Sequence, residues 1–206
     1  MKNIIGRPLL AGLGLLILVF ASTNASAVII GFAPSSQTAM PGDTVSLNLV
    51  VSDFGDGIGD FDLDIAFDDT ALDFLGYSLG AGLGDISAFE AIDFSLGDLG
   101  LGSINLSEVS LLTPVELLAL QGDPLTLATL DFEVDVLALG SSTTVSIDTV
   151  WAIGDEFGLP LDVSALNDGV IRNPDVNNVP EPPILVLMAL GLLGIGVFSR
   201  RASDKA

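Results

Sequence analysis

An all-β sandwich of about nine short strands is the fold class that this sequence predicts. Three observations carry that expectation. Several stretches alternate strictly between apolar and polar residues, the period of a strand with one buried face. Clusters of Pro, Gly, Asp and Ser separate these stretches at short intervals. One stretch combines a capping box with proline at the first helical position, the start of a single short helix. The segment 28–178, between two apolar ends, has the length of one domain, and such a domain buries roughly 70% of its unfolded surface.

Residues 28–32 form the first expected strand. Pro41-Gly42-Asp43 turns the chain into Thr44–Ser52, where Val45, Leu47, Leu49 and Val51 face one side and Thr44, Ser46, Asn48 and Ser52 the other. Asp53 to Asp60 is a loop of glycine and aspartate. In 60–67, Phe61, Leu63, Ile65 and Phe67 point inward and Asp60, Asp62 and Asp64 outward. Asp68-Asp69-Thr70 turns the chain, and Leu72, Phe74 and Leu75 re-enter the core. The region 76–102 is rich in glycine, with a weak strand at 92–96 and a firmer one at 104–109. Thr113-Pro114-Val115-Glu116 has the form of a capping box with proline at the first helical position. It predicts a short helix, Pro114–Leu120, stopped by Gly122. Leu130, Phe132, Val134 and Val136 alternate with Asp131, Glu133 and Asp135. Gly140-Ser141-Ser142 turns into 143–147, and strands at 150–153 and 169–171 complete the set. Residues 174–183 read as a linker.

The two ends carry addresses. Lys2 and Arg7, the apolar stretch 9–20 and the small residues Ala25 and Ala27 make a secretory signal peptide over 1–27, with Val28 as the mature start. At the other end, Val179-Pro180-Glu181-Pro182 precedes an uncharged apolar helix, 184–199, stopped by Arg200 and Arg201. Prolines end whatever comes before them, and an arginine pair is the usual cytoplasmic flank of a membrane span. The apolar run is short for a bilayer core of roughly 30 Å, and spans it only with its flanks and arginine snorkelling. Residues 200–206 form the basic cytoplasmic tail. This combination of Pro-Glu-Pro, short glycine-leucine span and Arg-Arg stop resembles the PEP-CTERM sorting signal of exported proteins in polysaccharide-secreting Gram-negative bacteria. The resemblance implies an exosortase-type processing enzyme as partner, transient anchoring in the inner membrane by the C-terminal helix, and a final place at the cell surface or in the extracellular matrix.

Composition narrows the chemistry. The chain of 206 residues has no cysteine and no histidine. The commonest general base and the thiolate nucleophile are therefore absent. Net charge is −21, and Arg172 is the one basic residue between the two terminal segments. Nucleic-acid binding needs cationic neutralisation of phosphates and is excluded. Anionic lipid is disfavoured on the same ground. Divalent cations, a basic protein partner or a salty medium suit such a surface, whose plainest role is solubility. With no lysine in the domain there is no phosphate-binding glycine loop.

Three ordered pieces resemble a cohesin-type jelly-roll β-sandwich, the fold shared with bacterial cellulose-binding modules. They are Pro41-Gly42-Asp43-Thr44-Val45, the stretch from Gly59-Asp60-Phe61 through Phe67-Asp68-Asp69-Thr70 to Phe74, and Gly122-Asp123 through Leu127 to Val134. The resemblance covers 28–173, with Phe67 in place of the family's tyrosine and Thr70 in place of its proline. It implies a protein- or carbohydrate-binding module, and no dockerin-contact residue carries over.

Asp53, Asp56, Asp60, Asp62 and Asp64, followed by Asp68 and Asp69, form the densest set of metal-type ligands. Alternate strand residues lie about 6.8 Å apart on one face, and a hard cation such as calcium relieves repulsion among carboxylates that close. The order differs from an EF-hand. The alternative is a solvated outer face, since Asp131, Glu133 and Asp135 repeat the arrangement, and no firm metal site is assigned. Glycoside hydrolysis needs one acid desolvated in a cleft beside stacking aromatics. Open aspartate strands do not provide that, so no catalytic residue is assigned. Trp151 and Tyr77 are the only tryptophan and tyrosine, with Trp151 expected in the core or at a sheet edge. The expected function is a non-enzymatic structural or adhesive component of the envelope or exopolysaccharide matrix. The alternative is a binding module for protein or polysaccharide.

Overall fold

The computed structural model describes residues 27–174. The expected signal helix with Ala25, the membrane helix 184–199, and the sorting residues Val179, Pro180, Glu181, Pro182, Arg200 and Arg201 lie outside the described residues. Within them no helix is long and apolar enough to cross a membrane.

The alternating segments become strands. In chain order they are β1 (Ala27–Ala33), β2 (Ser36–Thr38), β3 (Thr44–Ser52), β4 (Ile58–Phe67) and β5 (Leu72–Leu79). Short 3-10 turns at Ala81–Leu83 and Ile86–Ala88 lead to β6 (Ala91–Asp93), β7 (Gly97–Gly100) and β8 (Ser103–Ser110). The helix α1 (Pro114–Leu120), β9 (Leu125–Val134), β10 (Ser142–Asp155), β11 (Asp162–Asn167) and β12 (Gly169–Arg172) follow. Glu116, in the first turn of α1, reaches back as the capping motif requires: its carboxylate accepts from the Thr113 amide at 3.1 Å and from the Thr113 hydroxyl at 2.6 Å.

Two sheets face each other. The first has the order β11-β1-β3-β9-β5 and the second β2-β12-β10-β4-β8-β6, with β7 also paired to β8. Neighbours are antiparallel, except β1 with β11 and β2 with β12. Most of the inward residues read from the sequence fill the space between the sheets: Leu47, Leu49, Leu63, Ile65 and Phe132 are fully buried, whereas Leu75, at a register shift of β5, and Val136, beyond the end of β9, are exposed. Phe67 meets Phe132 edge to face with ring centroids 5.2 Å apart, and Phe74 lies 5.5 Å from Phe132. Aromatic pairs favour this tilted arrangement because the ring edge is positive and the face negative.

The expected strand count of about nine becomes twelve among the described residues, for reasons of local chemistry. The strands β2 and β7 are short, and β11 is an exposed edge strand carrying little alternation. β9 begins five residues earlier than its alternation, at Leu125, where Leu127 and Ala128 are buried in succession. The two strands expected at 143–147 and 150–153 are one continuous β10, whose register slips between Ile147 and Thr149 and again between Val150 and Ala152. Each bulge adds a residue without a partner and breaks the period of two.

Candidate functional site

The aspartates of β4 lead to the site. Asp60, Asp62 and Asp64 project from the outer face of the second sheet while Phe61, Leu63 and Ile65 are buried behind them. On β8, Asn105 and Ser107 pair with Asp64 and Asp62, so they share that outer face. Asn105 is nearly buried, at 7% exposure, because the chain from β6 to β7 crosses above it. Its amide nitrogen donates to Asp62 Oδ1 and Asp64 Oδ1, both at 2.9 Å. Its oxygen accepts the Leu96 amide at 3.2 Å. One side chain thereby separates two carboxylates and ties them to the segment above.

Trp151 completes the site from β10. It stands at the second bulge, between Val150, opposite Leu63, and Ala152, opposite Asp62. The bulge turns the indole outward, where Nε1 donates to Asp64 Oδ2 at 2.7 Å while the residue remains 67% exposed. This corrects the expectation of a core or edge position: β10 is an inner strand, and the extra residue decides which way the ring points. Phe94, Leu96 and Leu99 rise opposite the indole, each at least half exposed. Together these residues enclose an open groove of about 410 Å³ with a polar floor and apolar walls. Backbone and hydroxyl bonds fix the wall: the Phe94 amide donates to the Ser107 carbonyl at 2.8 Å, and the Ser107 amide to Ser95 Oγ at 2.9 Å.

The five aspartates singled out in the sequence do not converge. Asp62 and Asp64 belong to the groove. Asp60 lies two residues further along β4, beside Asp155, and burial, then that neighbour, raises its pKa. Asp53 adopts a left-handed conformation, φ 61°, with its amide 3.4 Å from Asp123 Oδ1. Asp56 is exposed in the loop between. Among the described residues no group of three or more acidic, histidine or cysteine side chains is placed to hold a metal ion. Asp131, Glu133 and Asp135 lie outward on β9 and just beyond it. Ala27 begins β1, opposite Asp162 of β11.

Sequence reasoning missed Asn105 and the apolar wall. The available signal was three large apolar residues, Phe94, Leu96 and Leu99, in a glycine-rich stretch too weakly patterned to bury them.

Comparison with known proteins gives the class first. The fold is that of the cohesins. A type I cohesin–dockerin complex from Clostridium thermocellum includes a chain matched with a TM-score of 0.57 and 14% identity, over 71% of this chain and 99% of that one. A type II cohesin domain from the cellulosome of Acetivibrio cellulolyticus matches with a TM-score of 0.56 and 18% identity, over 71% and 95%. The cohesin CaCohA2 of Clostridium acetobutylicum matches with 0.54 and 20%, over 73% and 92%. Comparison with curated proteins finds no match. The particular arrangement then follows from the C-terminus, where residues 178–201 match the PEP-CTERM protein-sorting motif. The chain is a cohesin-fold domain followed by a PEP-CTERM sorting motif.

Proposed function

We propose that the protein is a non-catalytic, surface-sorted binding module whose groove beside Trp151 docks a protein segment bearing apolar side chains and a lysine or arginine. The observation that carries this is the exposed indole, held by Asp64 beside the polar floor of the groove. Monomeric proteins seldom leave a tryptophan so open beside further apolar side chains unless the surface meets a partner. Rigid aromatics also supply binding area at low entropic cost. Asp62 and Asp64 add a local negative field that selects a cationic partner and speeds its approach. The cohesin likeness supports a protein partner. The sorting motif supports export, handling by an exosortase-type enzyme and membrane anchoring through the C-terminal apolar segment. A surface module of this kind serves cohesion of the envelope or exopolysaccharide matrix by gripping a second exported protein.

Trp151 is the sole tryptophan, so its emission reports the groove directly. The full chain is titrated with a leucine- and lysine-rich dodecapeptide, its leucine- and glutamate-rich counterpart, and cellohexaose. A saturable blue shift with the lysine peptide alone is the expected result. A shift with the oligosaccharide alone overturns the protein-partner reading in favour of carbohydrate binding.

A further inference from the structure

Glu108 is the one charged residue buried in the core among the described residues. It lies on β8 opposite Phe61 of β4 and therefore faces inward, between the sheets. Its exposure is 0%, and neither carboxyl oxygen has a hydrogen-bond partner. A buried carboxylate without a donor is costly, and the group escapes that cost by keeping its proton.

The surroundings hold no counter-charge. On the other side of β8, the facing residue is Asp93 of β6, another acid. From β4, Asp60, Asp62 and Asp64 pair with Val109, Ser107 and Asn105 and so point to the opposite face. From β7, Asp98 pairs with Ile104, four residues along the strand. The 3-10 turn Ala81–Leu83, also packed on β8, carries no titratable group. Tyr77 of β5 donates its hydroxyl to Asp93 at 3.1 Å. Arg172, the only basic residue among those described, pairs with Ser142 at the far end of β10. Burial, then Asp93, pushes the Glu108 carboxyl up to about 7.

The strand paired with β8 at Glu108 is short and has β8 as its one strand neighbour. β6 has three residues and lies at the edge of its sheet. Two backbone bonds bracket it, Leu111 N–H to the Glu90 carbonyl at 2.7 Å and Phe94 N–H to the Ser107 carbonyl at 2.8 Å. Short edge strands open locally at a fraction of the global unfolding free energy.

We propose that Glu108 is a proton-controlled latch on β6. With the carboxyl neutral, Ala91–Asp93 stays seated on β8. Loss of the proton frees that strand and the Phe94–Leu96 wall that follows it. The inference stands on the fold alone and holds whether or not the groove takes a protein partner.

The test is amide hydrogen exchange on the full chain between pH 4 and 8, corrected for the intrinsic chemical rate and read at Phe94 and Leu111. Opening exposes a carboxyl that titrates near 4.5, whereas the closed form holds its proton to about 7. Protection at these two amides then falls about tenfold per pH unit across that window, up to about 300-fold. Amides of β3 and β9, in the other sheet, do not follow. Glu108→Gln abolishes the dependence. Asp93→Asn, which keeps Glu108 and removes the neighbouring charge, makes protection level off at a lower pH. A flat profile in the unaltered protein, an unchanged slope in Glu108→Gln, an unmoved plateau in Asp93→Asn, or an equal slope in β3 and β9 overturns the latch.

Discussion

Trp151 on β10 and Asp64 on β4 are joined side chain to side chain, Nε1 to Oδ2 at 2.7 Å, across a β-bulge. The bond holds a large apolar ring in the open without burying it. Exposed residues contribute little to folding, whereas a rigid aromatic anchor contributes much to binding. Trp151→Ala is therefore expected to change unfolding free energy by less than about 1 kcal/mol. The same substitution weakens partner binding by about 2 kcal/mol or more, some thirtyfold. Urea unfolding and a titration of the same preparation check the two halves; a variant that fails only in folding contradicts the assignment.

Asn105 is the polar centre of the groove, donating to both Asp62 and Asp64 and accepting from Leu96. Asn105→Ala leaves two carboxylates facing one another and orphans the Leu96 amide. A loss of about 2 kcal/mol is expected from hydrogen bonds to charged groups. Asn105→Asp adds a third acid at the same place and is expected to cost more, with part of the loss recovered at pH 4. Urea midpoints at pH 7 and pH 4 provide the check.

Gly102 enters β8 at φ +72°, where a Cβ would sit 2.1 Å from the Phe67 carbonyl oxygen. Both the backbone conformation and the contact exclude a side chain. Gly102→Ala is expected to destabilise by about 2 kcal/mol or more. Gly122→Ala, with nothing within 4 Å of the added methyl, is the neutral control. Thermal melts of the pair show the difference.

The carboxylates divide into two classes with opposite pH signatures. Hydrogen bonds from Thr70, Ser87 and Thr113 hold Asp68, Asp85 and Glu116 below their usual range. Their contribution to stability is present above the unfolded pKa and is lost as acid protonates them. Burial holds Glu108, and less strongly Asp60, above the usual range. Their contribution is full below the unfolded pKa and is lost as pH rises through the folded value, about 7 for Glu108. Stability is thus expected to peak on the acid side of neutrality. Thr70→Val should steepen no limb and lower the acid-side gain; Glu108→Gln should flatten the decline towards pH 7. Melting temperature against pH reads both.

The fold was legible because burial on one side of a strand leaves a period of two, as in Val45 to Val51 and Phe61 to Phe67. The helix was legible from its start chemistry, Thr113, Pro114 and Glu116. The groove was half legible. Its carboxylates stood out, but their roles did not, because Asn105 reaches them from a strand 41 and 43 residues away. The orientation of Trp151 depends on a bulge, and a bulge inserts a residue without any marker in composition. Glu108 was overlooked although the period of two from Ile104 and Leu106 places it inward, because a charged residue near the end of a strand ordinarily marks the point where burial stops.

The central claim is that the groove, rather than the acidic surface at large, meets a protein. A photo-crosslinking residue placed at Leu96, which is 73% exposed on the groove wall, tests it in intact cell envelopes. The control carries the same group at Glu133, on the outer face of β9 in the other sheet. One discrete protein adduct from position 96, absent from position 133 and lost on Trp151→Ala, is the predicted result. Equal adducts from both positions, or adducts only to polysaccharide, would contradict it.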